Sequence, residues 1–132
     1  MSEGFPVPQP SAVSAPFWAA TEKHRLVMQR CDACRRLVWY PRHMCPHCGG
    51  LALQWEQLSG QGVVHAVSVH HRAAHPAFAD RVPYSVVLVD LAEGARIMSN
   101  VFGPSPAVGD EVSVAWLPLD DGRNLPTFNP DE

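Results

Sequence analysis

The chain has no apolar run approaching the ~18 residues of a membrane span. Its start, Met1 to Ser14, lacks the charged opening and apolar stretch of a secretory signal. No cysteine lies outside two short pairs. There is no G-x-S-x-G elbow, phosphate-binding glycine loop, dinucleotide fingerprint or convincing acid pair. These absences argue against a membrane protein, a secreted disulfide framework and a self-contained active site. The cytoplasm is the expected compartment.

The four cysteines form Cys31-Asp32-Ala33-Cys34 and Cys45-Pro46-His47-Cys48, with ten residues between the pairs. Two thiolates three positions apart on a tight turn both reach one ion. Two such turns supply four sulfurs at roughly 2.3 Å from Zn²⁺. Cys31, Cys34, Cys45 and Cys48 are therefore the expected metal ligands. Iron is the competing metal, since sulfur ligands alone also suit it. Glycine follows the second turn at Gly49, where positive φ lets backbone N–H groups face the sulfurs. The first turn has Arg35 there, so only one knuckle is expected to be ideal. His43 and His47 are expected outside the ligand set or exposed.

Net charge is −3, and zinc on four thiolates takes it to about −5. Lys23, Arg25, Arg30, Arg35, Arg36 and Arg42 crowd the front. After Gly50 only Arg72, Arg81, Arg96 and Arg123 stand against ten acids. The front is basic and the back acidic. Either the cations relieve the charge of the metal cluster, or they form a phosphate-binding patch.

Pro6, Pro8 and Pro10 alternate with small residues in a tail, 1–15, whose first 13 residues are expected to be disordered. Pro16 opens a helix predicted over 16–24. Its Phe17 and Trp18 suit core packing. Strands are predicted at 25–30, 37–40 and 53–58. With the knuckles they make a metal ribbon, so that helix and ribbon span 16–58. A unit this small gains on the order of 10 kcal/mol of folding energy from its metal.

From residue 59 to 129 the texture is repeated strands: 62–71, 84–91, 95–102, 111–117 and 125–128. Five strands, the first long enough to bend, suit a small closed barrel of the OB type, with a five-stranded sandwich as the alternative. Many OB barrels place a helix between the third and fourth strands, but Gly103 to Asp110 is too short for one. Arg72 to Pro83 reads as a structureless twelve-residue loop with an exposed Phe78 and two arginines. His65, His70, His71 and His75 invite a second metal site. Alternation divides His65 and His71 from His70, and His75 lies in the loop, so ordinary histidines are expected.

The ordered series Pro16-Phe17-Trp18, Arg25 through Cys31, Tyr40-Pro41-Arg42, Cys45-Pro46-His47-Cys48-Gly49, Leu58 through Val64, Pro83-Tyr84 and Val89 through Gly94 resembles a known family. These are the acyl-CoA-associated zinc-ribbon/OB-fold proteins, long catalogued as a domain of unknown function. The resemblance covers about residues 16–128. It implies a mainly β chain with a short N-terminal helix, a rubredoxin-like zinc ribbon and a C-terminal five-stranded OB-fold barrel. Family members are accessory subunits of thiolase-superfamily enzymes that make or break carbon–carbon bonds in acyl-CoA or β-keto substrates. Some are fused to hot-dog hydratase domains, for which this chain has no room.

By this resemblance the chain is a non-catalytic scaffold with Zn²⁺ at the four cysteines. The partner supplies the nucleophile and base. Acyl-CoA is shared with that partner, and Arg35, Arg36 and Arg42 are candidate contacts. Trp18, Trp39 and Phe78 are candidate interface anchors. The alternative is a single-stranded nucleic-acid-binding protein. The acid excess of the barrel opposes it, because such a groove needs a positive track.

Overall fold

The computed structural model describes residues 8–73 and 75–131. Residues 1–7 of the expected tail lie outside the described residues. The order is α1 (Ala15–Thr21), β1 (Val27–Cys31), β2 (Leu37–Val38), β3 (Leu53–Gln57), β4 (Gln61–His70), a 3₁₀ helix (Pro76–Arg81), β5 (Tyr84–Leu91), β6 (Arg96–Val101), β7 (Glu111–Pro118) and β8 (Asn124–Pro130).

α1 begins with Pro16 in its first turn and buries Phe17, Trp18 and Thr21. It ends three residues before the predicted boundary. His24 takes a left-handed conformation at φ 56°. The His24 N–H donates to the Thr21 carbonyl and the Arg25 N–H to the Ala20 carbonyl, which closes the helix as a Schellman motif. Asn124, buried at the start of β8, donates its side-chain amide to the Thr21 carbonyl at 2.8 Å. The helix is thereby tied to the last strand of the barrel.

The ribbon is an antiparallel sheet in the order β2-β1-β3. β2 stops at Val38, two residues short of the sequence prediction. Trp39 and Tyr40 leave the ladder and pack their rings against Phe17 at 5.0 and 6.4 Å. The second sheet is antiparallel in the order β6-β5-β4-β7-β8. From Ser85 to Leu91 β5 alternates inner and outer burial, so Val87, Val89 and Leu91 fill the core. The edges β6 and β8 meet through the Ser99 hydroxyl, which donates to the Pro126 carbonyl at 2.7 Å. Pro126 has no N–H to offer a ladder. Among the described residues the barrel closes there by a side chain.

The loop predicted to lack structure carries the 3₁₀ helix. His75 caps it, its Nδ1 accepting the Ala77 N–H at 3.0 Å, with Pro76 at the first helical position. Phe78 is half-buried, not exposed. Its ring meets Tyr84 at 5.6 Å and Phe102 at 6.1 Å. This packing covers the end of the barrel where β4 and β6 finish, a place often taken by the helix that Gly103 to Asp110 is too short to form.

One hydrophobic core runs through helix, ribbon and barrel. Phe17, Leu26, Met28 and Leu58 share it with Val64, Val89, Ile97, Val112 and Phe128. A small second cluster gathers Cys31, Val38 and Cys45. The barrel-side core therefore continues across the 58/59 boundary into the ribbon.

Candidate metal centre

The two cysteine turns are built alike. In the first, the Arg35 N–H donates to the Cys31 carbonyl at 2.8 Å and the Cys31 N–H to the Arg36 carbonyl at 3.0 Å. In the second, the Gly49 N–H donates to the Cys45 carbonyl and the Cys45 N–H to the Gly50 carbonyl, at 2.9 and 2.8 Å. Gly49 sits at φ 78° and Arg35 at φ 66°. The expectation of one ideal knuckle is thus corrected. Arginine adopts the left-handed conformation that glycine takes in the other turn. The Arg30 guanidinium holds it there by donating to the Arg35 carbonyl. Arg30 in turn forms a two-pronged pair with Glu56 at 2.8 and 2.9 Å.

All four Sγ atoms lie within 4.8 Å of one another. Cys31 and Cys48 are 3.6 Å apart, as are Cys34 and Cys45. A tetrahedron with zinc–sulfur bonds of about 2.3 Å has edges of about 3.8 Å. The cage fits one zinc ion held by Cys31, Cys34, Cys45 and Cys48. A Cβ at Gly50 would stand 3.2 and 3.3 Å from the Cys31 and Cys48 sulfurs, so the backbone passes the cage where a side chain would crowd it.

Electrostatics give the cage its need for a cation. The Cys31 thiol is lowered to about 7, first by the Cys34 backbone N–H, then further by the Ala33 N–H and neighbouring sulfurs, against burial. At Cys48 the Gly50 N–H favours the thiolate. Bonding with the Cys31 sulfur, burial and the other two sulfurs outweigh that and push it up to about 11. A divalent ion among the sulfurs removes that resistance. Among the described residues these four form the only such His/Cys/Asp/Glu group. The other histidines are dispersed. His65 sits in a bulge of β4 beside Asp90 at 3.4 Å. His70 stacks on Tyr84 at 5.6 Å, and His75 caps the 3₁₀ helix.

Arg35 and Arg36 project from the first knuckle and Arg42 from the segment after β2, all exposed. Arg35 lies 3.8 Å from Asp32. Gln29 clamps the backbone of Arg42, donating to its carbonyl at 2.9 Å and accepting its N–H at 2.8 Å. Trp18 is 6% exposed, and its indole donates to the Tyr40 hydroxyl at 3.1 Å. Trp39 and Phe78 are half-buried. The sequence reading missed Gln29 and Glu56. Gln29 carried a signal, a polar residue within the apolar run of β1.

Two family models match this architecture. One describes the ChsH2 rubredoxin-like zinc ribbon domain and covers residues 18–54. The other describes the ChsH2 C-terminal OB-fold domain and covers 55–117. A DUF35 domain-containing scaffold protein of Methanothermobacter thermautotrophicus is 31% identical over 99 residues, covering 72% of this chain and 74% of that protein. The chain belongs to the DUF35 family. A probable enoyl-CoA hydratase alpha subunit of Thermomonospora curvata is 41% identical to this DUF35 chain over 118 residues. That match spans 86% of this chain but only 36% of the length of the relative. A solved Ltp2-ChsH2(DUF35) aldolase structure superposes with a TM-score of 0.82 at 38% identity, covering 94% of this chain and 98% of the chain it matches. No helix among the described residues is long and apolar enough to cross a membrane.

Proposed function

We propose that this DUF35 chain is a non-catalytic, zinc-bearing subunit of a heteromeric complex with a thiolase-superfamily enzyme that forms or cleaves carbon–carbon bonds in acyl-CoA substrates. The partner supplies the nucleophile and the base. This chain docks beside the reaction chamber and helps hold the thioester. The observation that carries the reading is the match, over nearly the whole of both chains, to the Ltp2-ChsH2(DUF35) aldolase. The scaffold-protein and alpha-subunit names of the relatives support a place in an assembly.

Zinc shapes the ribbon, and Arg35, Arg36 and Arg42 are the side chains offered to the CoA phosphates. Trp39 and Phe78 are the anchors offered to the partner. Trp18, being buried, acts from beneath by holding Tyr40 and the helix in place. The test is co-expression with a thiolase-fold partner and two-step purification. Wild-type chain is expected to carry the partner through both steps, with Trp39→Ala and Phe78→Ala each weakening the complex by about tenfold or more. Unchanged complex formation by both variants overturns the anchor assignment. No complex with any thiolase-fold partner overturns the function.

A further inference from the structure

The 3₁₀ helix that lids one end of the barrel is fastened by a side chain that can do so only while uncharged. His75 stands in extended conformation, φ −144° and ψ 143°, immediately before Pro76–Arg81. Its Nδ1 accepts the Ala77 N–H at 3.0 Å. An imidazole nitrogen that accepts a hydrogen bond carries no proton, so the ring is neutral with its hydrogen on Nε2. The Phe78 N–H donates to the His75 carbonyl at 2.9 Å, so one residue holds both of the first two bonds of the turn. The first turn of the helix contains no acid.

What this turn carries is Phe78, whose ring meets Tyr84 and Phe102, themselves 5.8 Å apart. His75 stands edge-on to Phe78, with 6.2 Å between ring centroids. No residue of the helix is fully buried, and such surface elements open at small cost in free energy. Charged and titratable groups surround it on every side. His70, at the end of β4, stacks on Tyr84 of β5 at 5.6 Å. The Arg81 guanidinium lies 4.9 Å over the Phe102 ring, beyond the end of β6. His71 and Arg72 precede the lid in the chain, and Asp80 lies on it. Two arginines thus stand against one acid, which leaves no surplus of carboxylate to meet a positive charge on His75.

We propose that His75 makes the lid acid-opened: protonation turns Nδ1 from acceptor to donor, sets it against the Ala77 N–H, undoes the cap and releases Phe78 from Tyr84 and Phe102. The proton comes from solvent and returns to it on neutralisation. The cap is present above the titration of His75 and lost as pH falls through it, in the range about pH 5–8 where histidine changes charge. Losing a side-chain cap moves the balance about tenfold toward the open lid. His70 acts in the opposite sense, because an imidazolium on the face of Tyr84 gains cation–π attraction. The switch is internal to the chain and is read without the partner proposed above.

Nuclear magnetic resonance on the zinc-loaded full chain, at about pH 7.5 and about pH 5.5, tests it. Two signals are followed: the Phe78 ring resonances, displaced by the ring currents of Tyr84 and Phe102, and exchange of the Phe78 amide relative to an unstructured chain at the same pH. On acidification of wild type, the ring resonances should move toward unstructured positions and amide protection should fall about tenfold, reversibly. His75→Asn keeps a capping acceptor that does not titrate, and both signals should stay as at the higher pH. His75→Ala has no acceptor, and both should be shifted toward the open lid at either pH. His70→Gln should leave the wild-type response in place. Amide protection at Val89 and Ile97 in the barrel should be the same at both pH values. Wild-type signals that ignore pH, an asparagine variant that responds as wild type does, or an alanine variant as closed as wild type at neutral pH overturns the proposal. Loss of protection at Val89 and Ile97 alongside Phe78 overturns it too, since the response would then belong to the whole fold.

Discussion

Replacing Gln29 by methionine tests how the second knuckle is delivered to the metal. Gln29 is 5% exposed in β1, and its amide spans both backbone groups of Arg42. That pair of bonds fixes the chain three residues before Cys45. Methionine nearly matches the volume, so packing is kept and the two hydrogen bonds go. At about 1 kcal/mol net for each, the loss is about 2 kcal/mol. For a domain of this size that lowers Tm by roughly 6–10 °C. Urea unfolding of the zinc-loaded protein, followed by tryptophan fluorescence, should show a lower midpoint at unchanged slope. Zinc release to a chromogenic chelator should quicken, because Cys45 loses its upstream anchor. A Gln29→Met variant within about 0.5 kcal/mol of wild type, releasing zinc at the original rate, refutes the reasoning.

Three further outcomes follow from the same geometry. Because ribbon and barrel share one core, chelating the zinc should lower the stability of barrel and ribbon together in a single transition, as read by hydrogen exchange at Val89 and Ile97; a barrel unaffected by chelation would contradict this. Gly50→Ala places a Cβ against two ligand sulfurs and should weaken zinc affinity about tenfold or more, measured by competition with a chelator of known affinity. Unaltered affinity would show that the cage tolerates the crowding. The Glu56 carboxyl is held below its usual range, first by hydrogen bonding to Arg30, so its contribution is present above the unfolded value and lost as pH falls through the folded one. Glu56→Gln should therefore cost up to about 1 kcal/mol at pH 7. The cost should shrink on acidification, and a cost that grew would contradict the assignment.

The parts of the fold set by short-range pattern are readable from the chain alone. The C-x₂-C spacing foretells the cage because reach along one turn is a local property. The strand expected at 84–91 has the bounds seen, Tyr84–Leu91. What escapes depends on partners distant in sequence. Arg35 looks unsuited to an ideal knuckle because its own residue type disfavours positive φ, yet Arg30 holds its carbonyl from five residues away. The 3₁₀ helix is hidden because its cap is a histidine side chain and its packing partners, Tyr84 and Phe102, follow later in the chain. The bulge at His65 interrupts the alternation that sorts the histidines by face.

The central claim is that this chain works as the zinc-bearing half of an enzyme whose chemistry resides in a thiolase-fold partner. Purifying the full chain with its co-expressed partner, then measuring zinc by mass spectrometry and turnover of a β-keto or β-hydroxy acyl-CoA by each protein alone and together, tests it most directly. The account predicts one zinc per chain, a stoichiometric complex and carbon–carbon bond turnover that needs both proteins. A chain that purifies without metal, or a thiolase-fold partner that turns over at full rate in its absence, would contradict it.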